Sequence, residues 1–176
     1  MIIFTGVAGS GKSVQGKLLA DYLGLPWLST GEFLRMLIAG ERRKDMLAGK
    51  LLEDKEIIAL VQRIFNVIDT KHDFILDGFP RTAAQADWLL SQVKHGQLKI
   101  NAVINLVATE SLVSKRLLKR GRQDDTKKAI KERIDEYNNK ILPIIEHFKN
   151  ANITVHDINA EQPVDKVQAD IRKILK

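Results

Sequence analysis

The sequence predicts an α/β fold in which a five-stranded parallel sheet carries helices on both faces. Three observations lead there. Short apolar, β-branched runs alternate with longer stretches of helical periodicity along most of the 176 residues. Most of the short runs are largely apolar, as strands buried on both faces are. A glycine-rich loop stands between the first such run and the first helical stripe, the place where a strand feeds a helix in a parallel α/β unit.

The strands are expected at Ile2–Thr5, Trp27–Thr30, Phe74–Asp77, Ala102–Val107 and Ile153–His156. Between them, Lys12–Leu23 places Val14, Leu18, Leu19, Tyr22 and Leu23 on a helical stripe that Gly24 and Pro26 close. Thr82–Val93, Glu110–Lys119 and Pro163–Leu175 read as further helices. A long helical stretch from about Thr126 to Lys149 is expected to be interrupted at Pro143. One region breaks the alternation. Glu32–Ala39, Arg42–Ala48 and Lys55–Ile68 form two or three helices where a single crossover would suffice, so a small helical insertion is expected beside the sheet. No internal repeat and no separating linker is found.

Composition narrows the class. Apolar residues make up 44% and charged residues 28%, which fits an ordered globular domain. With no cysteine, disulfides and thiolate metal sites are excluded. The apolar start runs directly into glycines and is too short to span a bilayer, so neither a signal peptide nor a membrane anchor is expected, and a cytoplasmic location is. The net charge of +6 sits partly in Lys127–Lys131 and Lys166–Lys176. No aromatic residues are interleaved there as a single-strand platform requires, so these read as solvated helix faces and not as nucleic-acid sites. His72, His95, His147 and His156 show no metal-ligand spacing, and Trp27 and Trp88 are expected in or near the core.

The chemistry starts at Gly6-Val7-Ala8-Gly9-Ser10-Gly11-Lys12-Ser13, which fits G-x-x-x-x-G-K-[ST] after a strand and before a helix. Gly6, Gly9 and Gly11 permit backbone angles and a close approach that side chains would block. Inward N–H groups and the following helix N-terminus can then hold phosphate oxygens. Lys12 is placed to neutralise the β and γ phosphates, and the Ser13 hydroxyl to ligate Mg²⁺. In this context a P-loop NTPase fold and a nucleoside-triphosphate site are expected; chance alone would give the pattern in roughly one such chain in a hundred or fewer.

Four further segments occur in a recognisable order. They are Ser29-Thr30-Gly31-Glu32-Phe33-Leu34-Arg35, Gly49-Lys50-Leu51-Leu52, Leu76-Asp77-Gly78-Phe79-Pro80-Arg81-Thr82 with Gln85, and Arg116 through Asp125 with Arg133. Together they resemble adenylate kinases over nearly the whole chain, with Asp77–Arg81 the most specific piece. The resemblance implies transfer of the γ-phosphoryl group of MgATP to AMP, giving two ADP. Such a reaction needs alignment of two polyanions and neutralisation of charge more than a strong base.

On that resemblance Lys12, Arg81, Arg120, Arg122 and Arg133 are catalytic. Gly6, Gly9, Ser10, Gly11, Lys12, Ser13, Val14, Arg116 and Arg120 bind ATP; Thr30, Gly31, Arg35, Gly78, Arg81 and Gln85 bind AMP; Ser13 and Asp77 serve the metal. Arginine suits the task because its planar fork gives two hydrogen bonds to one phosphate. Residues 1–28, 60–119 and 124–176 would form the core, about 29–59 the monophosphate-binding insertion, and about 120–123 the lid. A monomer without nucleic-acid or membrane ligands is expected. Thr82-x-x-Gln85 also reads as a capping box, with Gln85 bonding back to the cap N–H. Asp124 and Asp125 read as favourable charges at a helix start.

Three positions depart from the family pattern. The phosphate loop has Val7-Ala8 and Ser13-Val14 where proline and a G-K-G-T ending are usual, and Glu32 stands where aspartate is commoner. Only Gly121 separates Arg120 from Arg122, so the lid is reduced to a turn. A lid that excludes water poorly should give slower turnover or some ATP hydrolysis without acceptor. The loop also resembles that of gluconate kinases. A UMP/CMP kinase is a nearer rival, which Thr82 disfavours because asparagine is usual there. A non-catalytic nucleotide binder finds support only in the short lid, and no Asn-Lys-x-Asp motif suggests a GTPase.

Overall fold

The computed structural model describes residues 1–41, 43, 53–123 and 125–175. Five parallel strands form one sheet in the order β2-β3-β1-β4-β5, with β1 Ile2–Gly6, β2 Trp27–Ser29, β3 Ile75–Asp77, β4 Ala102–Val107 and β5 Val155–Asn159. The described helices are α1 Lys12–Leu23, α2 Thr30–Leu37, α3 Asp54–Val67, α4 Ala83–Lys94, α5 Glu110–Arg120, α6 Lys127–Glu136, α7 Leu142–Asn150 and α8 Val164–Ile174.

Alternation along the strands explains the layering. Ile3, Leu76 and Val103 point to one face and pack against Ile57 and Val61 of α3, Ala86 and Leu89 of α4, and Ile144 and Phe148 of α7. Ile2, Phe4, Ile75, Ile104 and Leu106 point to the other and meet Leu19 and Ala20 of α1 and Val167 and Ile171 of α8. Both faces are covered, so the central strands have no polar side and must read as continuous apolar runs. Trp88 joins the first layer, its ring stacked on Phe65 and edge-on to Phe79. Among the described residues no helix is long and apolar enough to cross a membrane.

Three expectations need correction. The last strand runs Val155–Asn159 and not Ile153–His156, because its register follows β4, pairing Val103 with Val155 and Val107 with Asn159. β5 is an edge strand, and an edge tolerates the polar His156, Asp157 and Asn159 that extend it past the apolar run. The stretch after Thr126 does not break at Pro143. A π-helical turn, Tyr137–Ile141, joins α6 to α7, and Pro143 lies in the first turn of α7, where a missing N–H does least harm. The second strand ends at Ser29, whose hydroxyl accepts from the Glu32 N–H and caps α2, so Thr30 is already helical. The helix expected at Arg42–Ala48 and the Gly49–Leu52 segment lie outside the described residues, Arg43 excepted.

This topology positions the site. The carboxyl ends of β1 and β3 lie side by side at the centre of the sheet, and their loops open onto the same edge, the place where open parallel sheets bind ligands.

Candidate active site

β1 ends at Gly6, with φ +134°, and the backbone turns there into the loop that feeds α1. A Cβ at Gly6 would meet the Leu106 carbonyl oxygen at 2.5 Å, so only glycine lets the loop leave the sheet this close to β4. No side chain caps α1. Its first N–H groups therefore face the loop without a side-chain acceptor, the arrangement that binds anions. The Ser10 side chain gives a second sign. Its residue is 2% exposed, yet its Oγ has no hydrogen-bond partner. A buried hydroxyl left this way is costly unless a ligand pairs with it.

Lys12 folds back over the loop, donating to the Gly6 carbonyl at 2.7 Å and the Val7 carbonyl at 2.9 Å. Lys12 is half-buried, and burial draws its pKa down from 10.5 to about 8 against the opposing pull of Asp77. Beside it the Ser13 hydroxyl donates to Asp77 Oδ2 at 2.7 Å. Asp77 is 2% exposed and ends β3. A hydroxyl and a carboxylate oxygen side by side form a donor set suited to a hard, oxygen-seeking cation that keeps most of its ligands as phosphate and water. Among the described residues no cluster of three or more His, Asp or Glu could hold a metal by itself.

These groups line a cavity of 440 Å³. Gly6, Gly9, Ser10, Gly11, Lys12, Ser13 and Val14 form its floor. Arg116 and Arg120 of α5, Arg122 beyond it and Arg133 of α6 come in from one side. Gly31 and Arg35 of α2, with Gly78 and Arg81 of the loop after β3, come in from the other. Arg116 reaches the Ser10 carbonyl at 3.5 Å. The Arg81 Nε donates to the Gly78 carbonyl at 2.8 Å, and Gly78, with φ +81°, leaves room for that guanidinium, which a Cβ would approach to 3.0 Å. The Phe79–Pro80 peptide within this loop is cis.

Two expected AMP residues are held elsewhere and do not line the cavity. Thr30 donates its hydroxyl to the Gly78 carbonyl at 2.8 Å. Gln85, 3% exposed, accepts from the Arg81 backbone N–H at 2.8 Å and donates to Asp54 Oδ1 at 2.8 Å. Thr82 caps α4 as expected, accepting from the Gln85 N–H at 3.3 Å. The return bond of the expected box goes one residue earlier, to Arg81 and not to the cap residue. The cap hydroxyl donates instead to Asp54, 2.8 Å away at the start of α3.

Asp125 is the functional residue that reading the sequence missed. It was assigned to a helix start, but Thr126 is the cap of α6. The Asp125 side chain is 1% exposed and takes Arg120 as a fork, Oδ2 from Nε at 2.9 Å and Oδ1 from Nη2 at 2.6 Å. It also accepts from Arg133 at 3.2 Å and from the Arg122 backbone N–H at 3.1 Å. Burial opposes ionisation, but the Arg120 fork and the Arg122 N–H outweigh it and hold the carboxyl below its usual 3.8. The signal available in sequence was an acidic residue shortly after the Arg120-Gly121-Arg122 turn and eight residues before Arg133.

The lid segment is correspondingly compact. α5 runs to Arg120, and Gly121, with φ +66°, reverses the chain. Glu32 then ties the two walls together, pairing with Arg35 at 2.7 Å and Arg122 at 3.5 Å. Burial works against the Glu32 carboxylate, yet Arg35 and Arg122 hold its pKa below 4.5.

Comparison with known proteins gives matches along nearly the whole chain. The adenylate kinase family model matches residues 4–153. The adenylate kinase of Corynebacterium aurimucosum is 37% identical over 171 residues, 94% of this chain and 93% of that one. That of Oenococcus oeni is 35% identical, covering 99% and 96%, and adenylate kinase 1 of Synechocystis sp. is 34% identical, also covering 99% and 96%.

Proposed function

The chain belongs to the adenylate kinase family and is an ATP-dependent nucleoside monophosphate kinase, and on that premise we propose how its own residues carry the γ-phosphoryl group of ATP to AMP. One observation carries the assignment of roles: Lys12 and Arg35, Arg81, Arg120, Arg122 and Arg133 all converge on a single cavity from both of its sides. Neither gluconate nor a pyrimidine monophosphate is favoured, since the matching relatives reported above are all named adenylate kinases.

ATP phosphates take over the N–H groups at the start of α1 and the Ser10 hydroxyl. Lys12 exchanges its two carbonyl contacts for the β and γ oxygens, where its charge counteracts the repulsion between donor and acceptor. Gly31 lies beside Arg35 and Arg81, a Cβ there coming within 3.4 Å of the Arg35 guanidinium. These two arginines grip the AMP phosphate and point its oxygen at the γ phosphorus. Arg120 and Arg133 stand on the opposite side, anchored by Asp125, and stabilise charge on the transferring group. Arg122 completes that side. Magnesium bound with the nucleotide would neutralise phosphate charge, held by Ser13 and, through water, Asp77. Thr30 and Gln85 face the adenine of AMP, Gln85 through the N–H and the lone pair that Asp54 and the Arg81 N–H leave free.

The monophosphate insertion at about 29–59 and the short lid at about 120–123 are the parts that close. A turn of this size shields little of the cavity, so a measurable rate of ATP hydrolysis without acceptor accompanies transfer. The same reading makes the chain a cytoplasmic monomer whose partners are nucleotides only.

A coupled ADP-release assay with MgATP tests this, offering AMP, CMP, UMP, GMP and gluconate beside a control lacking acceptor and a Lys12→Ala variant. Turnover concentrated on AMP and lost in the variant is expected. Turnover on gluconate alone, or on none of the acceptors, would refute it. Fast transfer with undetectable hydrolysis in the control would show instead that the short lid seals the site.

A further inference from the structure

We propose that Asp54 is a positioning residue that sets the choice of acceptor base by pinning the side-chain amide of Gln85 in one orientation. The inference rests on the AMP reading above and adds a residue that the family resemblance did not supply.

A glutamine amide presents a donor at one end and an acceptor at the other, and its shape barely changes when the two are exchanged by a flip. Whatever reads a base with glutamine must therefore prevent the flip. Here both ends are assigned by partners of fixed sign. The Arg81 backbone N–H can only donate, and it meets Gln85 Oε1 at 2.8 Å. The Asp54 carboxylate can only accept, and its Oδ1 meets Gln85 Nε2 at 2.8 Å. A flipped amide would set N–H against N–H at one end and oxygen against oxygen at the other. Gln85 is 3% exposed, so water is in no position to satisfy the reversed state.

Asp54 is itself fixed. The same oxygen accepts from the Thr82 hydroxyl at 2.8 Å, and the residue opens α3, where the helix N-terminus favours a negative charge. One carboxylate thus joins the first turn of α3 to the cap of α4 and, through Gln85, to the backbone of Arg81. Each end of the pinned amide keeps a second bonding position, one N–H and one lone pair. That pair complements adenine, which offers an acceptor at N1 and a donor at the 6-amino group. It opposes hypoxanthine, which offers a donor at N1 and an acceptor at O6.

The test compares kcat/KM for AMP and inosine monophosphate in the unmodified protein, Asp54→Asn and Asp54→Ala. Asparagine keeps the shape but can either accept or donate, so it removes the Asp54 restraint and leaves the Arg81 N–H as the one remaining hold on the amide. Alanine removes the acceptor altogether. Both variants are expected to lower the AMP-over-inosine preference by about fivefold or more, the size of one buried hydrogen bond. KM for AMP should rise while KM for ATP stays unchanged. In a Gln85→Ala background, Asp54→Asn should alter the preference no further, because the amide it acts through is gone. An unchanged preference in Asp54→Asn would overturn the proposal. So would an equal loss for both acceptors, which would mark Asp54 as structural only. Failure of the unmodified protein to phosphorylate AMP would sink the underlying reading instead.

Discussion

The two sides of the cavity are built in opposite ways. The phosphate loop is held by backbone: Gly6 turns against β4, Ser10 N–H bonds the Val7 carbonyl at 3.1 Å, and Gln15 N–H bonds the Gly11 carbonyl at 3.0 Å. Its backbone hydrogen bonds are close in sequence. The arginine wall is held by side chains, with Asp125 gathering Arg120 and Arg133 while Glu32 reaches across to Arg122. A backbone cradle presents neutral N–H groups at no Coulombic cost to itself. Guanidinium groups repel one another, so an empty wall of them needs resident carboxylates. The difference teaches that the loop's shape is set by chain geometry, whereas the placement of the guanidinium groups is set by charge balance and is open to tuning by single carboxylates.

Removing Lys12 should break the comparison most severely, since it is the one charged side chain within the phosphate loop itself. Lys12→Ala is expected to lower kcat/KM by about a thousandfold, read in the ADP-release assay. It should leave the ligand-free protein more stable at neutral pH, because the folded state holds this ammonium at a pKa of about 8. Below about pH 8 the group is charged in both folded and unfolded chains, and the cost is present in full. Between about 8 and 10.5 the folded protein releases the proton first, so stability rises with pH. Urea midpoints across that window should climb in the unmodified protein and stay flatter in the variant.

Asp125→Ala comes next and tests the other wall. It leaves Arg120, Arg133 and the Arg122 N–H without a shared acceptor and should destabilise the fold by about 2–3 kcal/mol in chemical denaturation. Because the Asp125 pKa is depressed below 3.8, this contribution is complete above that value and is lost as pH falls through the folded pKa. The gap between variant and unmodified protein should therefore close in acid. Turnover should fall as well, with KM for ATP less affected than kcat.

The smallest effect is expected from Glu32→Gln. Glu32 and Arg122 are both 38% exposed and 3.5 Å apart, so stability should change by less than about 1 kcal/mol. KM for AMP should fall by about two- to threefold, because Arg35 no longer has to leave a carboxylate to meet phosphate. A rise in KM would show that Glu32 orients Arg35 rather than competing for it.

Much of the molecule was legible in the residues. Continuous apolar runs identified β1, β3 and β4, which are buried on both faces, and the glycine spacing located the phosphate loop. Arg35, Arg81, Arg120, Arg122 and Arg133 were placed by motif, and all reach one cavity. The misreadings share a physical cause. β5 is polar because it is an edge, the Tyr137–Ile141 turn hides within helical periodicity, and Gln85 bonds to Arg81 because backbone geometry decided the direction. Local pattern reports what a residue can do, and only its neighbours select among those possibilities.

The division between sequence and tertiary structure follows from range. By itself the sequence determined the parallel α/β core, the strand–loop–helix that receives phosphate and the inventory of cationic groups, because these depend on apolar periodicity and on contacts a few residues apart. Tertiary structure decided which carboxylate holds which arginine. Asp125 became a buried hub, Glu32 a bridge between walls, and Asp54 a partner of Gln85 31 residues away. An acid looks the same in sequence whether it is solvated at a helix start or buried among guanidinium groups; packing alone removes the water and makes the pairing matter.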